Sequence, residues 1–159
     1  MDIVNSELFR YIDQIGVLTV DPEKTMKNME MLFGIKPTKF GHSLRGNACG
    51  YYRGMPRDAE IEMIFYQFEN VHIEIIYPKD GKSIHNEYLE KRGTGLYHIR
   101  FNVDNFEETI AWFKERGYEP VMGGDSANVP GAKWCYYDFF DELGYYVEII
   151  NLREVGKDL

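Results

Sequence analysis

The sequence predicts an α+β protein made of two paired βαβββ modules that share one curved mixed sheet. Three observations carry this. DQIGVLTVDPEKTM (residues 13–26) aligns without gaps on YHIRFNVDNFEETI (97–110), matching Ile15 with Ile99, Val17 with Phe101, Glu23 with Glu107 and Thr25 with Thr109. VHIEII (71–76) returns near the C-terminus as YYVEII (145–150). Each of the first pair runs from strand-like alternation into a helix start, and each of the second reads as a buried strand. Such self-similarity within one short chain marks a duplicated unit.

The elements follow in order. A helix over residues 6–11 is an N-terminal appendage. The first strand runs into Asp21, an N-cap followed by Pro22 at the first helical position. Met26, Met29 and Phe33 then form an apolar stripe that stops at Gly34. Strands are expected over roughly 48–53, 59–68 and 71–78. A short helix over 83–93 links the halves. In the second half Asn105 is the N-cap, with Glu108 three residues on in capping-box spacing. Phe106, Ile110 and Phe113 give the stripe, Gly117 the stop, and strands follow over roughly 119–122, 133–141 and 145–152. The whole chain, 1–159, reads as a single domain of two modules, 12–78 and 96–152.

A chain of 159 residues with 44% hydrophobic and 15% aromatic residues can bury a sizeable core. A net charge of −8 argues against general nucleic-acid or anionic-membrane binding. Between Lys36 and Arg57, however, stand Lys36, Lys39, Arg45, Arg53 and Arg57 with no acidic residue. Such a run suits either an anionic small molecule or a solvated loop. Cys49 and Cys135 have no metal-type spacing. The N-terminus lacks a basic-then-apolar leader, and no apolar run approaches the ~20 residues of a membrane span. The expectation is a soluble cytoplasmic protein with free thiols.

Residues two apart on a strand share a face. Gln14 shares one with Gly16 and Leu18; His98 with Arg100 and Asn102; His72 with Glu74 and Ile76; Tyr146 with Glu148 and Ile150. A buried carboxylate is costly unless paired, hydrogen-bonded or coordinating a metal. The repeat supplies two equivalent pairs, Gln14 with Glu74 and His98 with Glu148. If the modules pack side by side, all four converge on one concave face. Two carboxylates, an imidazole and an amide oxygen suit a divalent ion. Taken singly, such a Glu is usually solvated and such a His usually a hydrogen-bonded partner; the symmetric recurrence favours the metal site.

At these residues the chain resembles the vicinal-oxygen-chelate superfamily, which includes glyoxalase I, methylmalonyl-CoA epimerase and bleomycin-resistance proteins. The resemblance covers about residues 12–152. It implies the paired βαβββ (glyoxalase-like) fold, the ligand set Gln14, Glu74, His98 and Glu148, and a divalent metal cofactor (Zn, Ni, Co or Mn). It also implies a homodimer acting on a small-molecule thioester or hemithioacetal. The carbonyl oxygen binds the metal, a carboxylate removes the adjacent proton, and an enediolate is reprotonated. The stretch IEIIYPKDGKSIHNEYLEKRGTGLYHIRFNVDNFEETIAWFKERGYEPV (73–121) is similar to methylmalonyl-CoA epimerase, although that enzyme usually has His where Gln14 stands. The Gln/Glu/His/Glu set instead resembles some glyoxalase I enzymes.

The epimerase resemblance implies two catalytic bases, Glu148 and Glu62, the latter sharing a face with Glu60 on a preceding strand. The glyoxalase resemblance makes the ligand glutamates the bases. A third alternative is a metal-free binding protein of the drug-resistance type. An extradiol dioxygenase fits less well, because those relatives use two His and one Glu and only His98 stands at these positions. His42, His72 and His85 carry less: His42 lies in the basic loop, His85 on the linking helix, and His72 reads as a packing residue beside Glu74.

Overall fold

The computed structural model describes residues 7–43 and 50–157. Ten strands form one sheet in the order β2-β5-β6-β1-β7-β10-β9-β8-β3-β4. Module one contributes β1 (Ile12–Leu18), α1 (Pro22–Phe33), β2 (Lys39–Ser43), β5 (Asp58–Gln67) and β6 (His72–Lys82). Module two contributes β7 (Gly95–Asn102), α3 (Phe106–Glu115), β8 (Met122–Asp125), β9 (Lys133–Phe139) and β10 (Tyr145–Ile150), with a helical turn α4 (Phe140–Leu143) before the last strand. The two strand orders, β2-β5-β6-β1 and β8-β9-β10-β7, are the same. The modules meet through antiparallel pairing of their first strands, β1 and β7, while β6 and β10 run parallel to β1 and β7. This is the curled mixed sheet of the α+β class that the repeat implies.

Local chemistry sets the helix ends. Asp21 accepts a hydrogen bond from the Lys24 amide at 2.9 Å, Pro22 fills the first position, and Gly34 closes α1 in the left-handed region at φ 69°. Asn105 accepts from the Glu108 amide at 3.1 Å and donates to the Glu108 carboxylate at 3.0 Å. The linking helix α2 (Ile84–Arg92) is capped by Ser83, which accepts from the Asn86 amide at 3.3 Å.

Three expectations are corrected. Residues 7–11 form no helix; they make a turn, and Phe9 packs its ring against Phe101, Trp112 and Phe113. The second strand of module one is β2, not 48–53; positions 48 and 49 lie outside the described residues. The segment β3 (Gly50–Tyr52) instead crosses to the far side of the sheet and pairs with β8. It turns into β4 (Met55–Pro56) through Arg53 (φ 47°) and Gly54 (φ 76°), the left-handed pair that suits a tight hairpin. Finally, Phe33 does not continue the α1 stripe into the core: it is exposed, and only Met26 and Met29 reach the cluster of Ile64, Tyr66 and Ile75.

Helix α3 covers the sheet in module two, where Val103, Phe106, Tyr137, Val147 and Ile149 form a second cluster. A third lies on the concave side, where Ile84 and Tyr88 of α2 pack on Ile76, Tyr97, Tyr136 and Tyr146. Helix α2 therefore sits over the face that the four expected ligands share. Among the described residues no helix is long and apolar enough to cross a membrane.

Candidate metal centre

Two β-bulges shape the centre. The β1–β7 register shifts once between Ile12 and Gln14 and again between Gly16 and Val17. The extra residues are Asp13 on β1 and Tyr97 on β7, at equivalent places in the repeat, each immediately before an expected ligand. A bulge lets consecutive side chains share a side of the sheet. Asp13 and Gln14 are both buried, and so are Tyr97 and His98.

His98 is the hub. Its Nε2 lies 3.1 Å from Gln14 Oε1, 3.1 Å from Glu148 Oε2 and 3.7 Å from Glu74 Oε2. The imidazole is fully buried, edge-on to the rings of Tyr97 and Tyr136. It fits because Gly16 stands opposite it on β1: a Cβ there would lie 2.1 Å from ring atoms Nδ1 and Cε1. Glu74 lies across from Gly16 on the other side of β1, and Glu148 across from Arg100 on β10. Donor atoms of Glu74, His98 and Glu148 all lie within 4.8 Å of one another, and these three could hold a metal ion.

Electrostatics fit a cation. Burial pushes the Glu74 carboxyl up to about 7; His98 opposes this and Glu148 adds to it. Glu148 Oε2 is buried without a hydrogen bond. Beside them Arg100 donates from Nε to Asp13 Oδ1 at 2.7 Å, and Asn102 donates to Asp13 Oδ2 at 2.8 Å. Burial opposes the charge on Arg100, but Glu148 and Asp13 outweigh it and hold the group protonated. With Glu74 ionised, three carboxylates face one guanidinium, and the excess negative charge in a buried cluster persists only when compensated. A divalent cation would supply that compensation. The donors are nitrogen and oxygen, since Cys135 points to the opposite face, into the α3 core. That set suits borderline and harder divalent ions.

The structure thus brings together Gln14, Glu74, His98 and Glu148. It does not bring in Glu62. On β5 the residues facing Glu74 and Ile76 are Phe65 and Met63, so Glu62 lies on the reverse face, across from Tyr77. There it is 40% exposed and ion-paired with Lys79 at 3.1 Å. His72, across from Gln14, is half-buried, and its pKa is lowered by burial and then by Arg100. His42 is bonded to Glu60 at the sheet edge, 2.9 Å away. The basic run does not form one patch. Lys36 pairs with Glu30, Arg53 is bonded to Glu87, and Arg57 turns inward; Arg45 lies outside the described residues.

A cavity of about 310 Å³ opens onto the cluster, walled by Glu74, Glu148, Tyr136, Met63, Arg57 and His85. Sequence reasoning missed Asp13, because alternation puts it on the face opposite Gln14. The signal was its alignment with Tyr97, which needs the same bulge.

Residues 13–136 match the model of the Glyoxalase/Bleomycin resistance protein/Dioxygenase superfamily, and the chain belongs to that superfamily. No curated protein sequence matches it. Solved structures share its fold. Methylmalonyl-CoA epimerase from Mycobacterium tuberculosis superposes with a TM-score of 0.65 at 13% identity, over 94% of this chain and 93% of that one. A variant of the Streptomyces coelicolor epimerase bound to 2-nitronate-propionyl-CoA gives 0.64 at 17% identity, over 91% and 94%. A hypothetical protein from Bacillus halodurans gives 0.68 at 19% identity, over 93% and 95%.

Proposed function

We propose that this chain is a metal-dependent enzyme that moves a proton on the carbon next to a substrate carbonyl, acting on an acyl-CoA thioester as an epimerase of the methylmalonyl-CoA type. The observation that carries the reading is the convergence of Gln14, Glu74 and Glu148 on His98 Nε2, with Glu74 and Glu148 lining the cavity beside it. A divalent ion held by these four residues would supply a Lewis acid that polarises the carbonyl. The remaining work falls to the chain. Glu148, with a buried oxygen that makes no hydrogen bond, takes the proton from the adjacent carbon. The Arg100 guanidinium, held in place by Asp13, stands beside it. Tyr136 and Met63 supply apolar wall to the cavity where the reacting carbon would lie. The shared fold with methylmalonyl-CoA epimerases over nearly the whole chain favours a thioester.

One observation favours a second reading. With Glu62 on the reverse face, the carboxylates that wall the described cavity are Glu74 and Glu148. Bases drawn from the ligands themselves are what the glyoxalase I resemblance implies, with a hemithioacetal as substrate. Metal-loaded protein assayed with methylmalonyl-CoA and with the methylglyoxal–glutathione adduct separates the two. Epimerisation of the thioester supports the first reading and turnover of the adduct alone the second. Inactivity on both with metal bound overturns the enzyme assignment.

A further inference from the structure

A second buried histidine lines the cavity. His85 is the second residue of α2, only 4% exposed, and its Nδ1 is buried without a hydrogen-bond partner. An unsatisfied buried polar atom is expensive, and natural proteins keep few of them outside functional sites. The ring is gripped edge-on by Tyr97 and Tyr136, with centroids 5.0 and 5.6 Å away. The same two rings flank His98, at 5.4 and 5.3 Å. His85 therefore stands beside the metal cluster, yet it comes from the helix over the concave face, while Glu148 comes from the sheet.

We propose that His85 is the second proton carrier of this cavity, working across the substrate from Glu148. The inference rests on the proton-transfer reading above, and it fills the place that sequence analysis gave to Glu62. Inverting a carbon centre requires removal of a proton from one face and return of a proton to the other. In one direction the Glu148 carboxylate takes the proton as the C–H bond breaks, and the electron pair passes to the carbon–carbonyl unit. Protonated His85 then gives its N–H proton to the opposite face and ends as neutral imidazole. In the other direction neutral His85 takes the proton, and the carboxylic acid of Glu148 returns one. The pair carries one proton in total either way, so no co-reactant is needed.

The environment of His85 suits the accepting role. Burial, then the nearby His98 and Arg57, lowers its pKa well below the ordinary imidazole range, and the N-terminal end of α2 acts in the same sense. Neutral His85 is thus the form ready to accept a proton at neutral pH.

The test uses metal-loaded wild type, His85→Leu and His85→Gln, with (2R)- and (2S)-methylmalonyl-CoA separately in deuterated water. Epimerisation and α-deuterium uptake are followed by chiral separation and mass spectrometry, with metal content measured for each protein. The expected result is epimerisation reduced about 100-fold or more in both variants. Metal content stays at the wild-type level, and deuterium uptake persists in the one epimer whose proton faces Glu148. Epimerisation near the wild-type rate in a metal-loaded His85 variant overturns the inference, as does equal loss of exchange from both epimers. If His85→Leu fails to fold, the closer-sized His85→Gln carries the same comparison. Wild type that binds metal but exchanges neither epimer overturns the proposed function, and this inference with it.

Discussion

The imidazole of His98 lies directly over Gly16, so closely that a Cβ on Gly16 would stand 2.1 Å from two ring atoms. The repeat gives this contact its meaning. Gln14 is equivalent to His98, so Gly16 is equivalent to Arg100. One module leaves room at that position for the central ligand. The other fills it with a guanidinium that balances the carboxylates around it. The duplicated scaffold is thus asymmetric at this pair of positions, as it is at Gln14 and His98.

Gly16→Ala therefore displaces His98 without altering any ligand. We expect metal affinity to fall by about 10–100-fold, as for disruption of groups that orient a ligand. Overpacking should cost about 1–3 kcal/mol. Metal titration and thermal unfolding of the metal-free protein check the two effects separately.

Asp13 compensates the buried Arg100 charge. Asp13→Ala removes the hydrogen-bonded partner of that charge, leaving Glu148 to balance it, and should destabilise the protein by up to about 3–5 kcal/mol in denaturant unfolding. The amide of Asp13→Asn still accepts hydrogen bonds and should cost less. Equal stability of Asp13→Ala and wild type would show that Arg100 finds another partner.

The raised pKa of Glu74 makes stability depend on pH. Its carboxyl titrates near 4.5 when unfolded and about 7 when folded without metal. Between those values the folded state binds more protons than the unfolded state, so this group favours folding as pH falls through the window and disfavours it as pH rises toward 7. Metal-free wild type should lose stability relative to Glu74→Gln as pH is raised from about 4.5 to about 7. Saturating metal should abolish the difference in slope. Parallel melting curves for the two metal-free proteins would contradict it.

The β3–β4 hairpin is tied to α2 through Glu87, which accepts from Arg53 Nε and Nη2 at 2.9 and 2.7 Å and from the Tyr52 hydroxyl. Arg53 is partly exposed, and Glu87→Ala should cost no more than about 1 kcal/mol globally. Its effect should be local: faster amide exchange over residues 50–56, with the rest of the sheet unchanged.

The sequence made the module order legible because the repeat and the two glutamate-bearing strands are strongly patterned. Alternation correctly paired His98 with Arg100 and Gln14 with Gly16. It failed where a strand breaks its own period: the bulges at Asp13 and Tyr97 turn inward two residues that a regular strand would turn outward. It also could not say which face of β5 meets the cavity, so Glu60 and Glu62 shared a face as expected, but the wrong one. Strand β2 was missed because KFGHS lies at the open edge of the sheet, largely exposed, and has no apolar side to reveal it. The residues of 50–52 were read as a strand correctly; their partner β8 in the other module is a long-range pairing that no local pattern encodes.

The claim on which the rest depends is that Gln14, Glu74, His98 and Glu148 hold a divalent ion. It is tested most directly by the metal content of tag-free protein, measured by mass spectrometry for wild type and for the His98→Ala/Glu148→Ala double variant. We expect near-stoichiometric zinc, nickel, cobalt or manganese in wild type and none in the double variant. Wild type that takes up none of these ions, even after reconstitution, would contradict the account and leave the cavity as a binding site for an intact ligand.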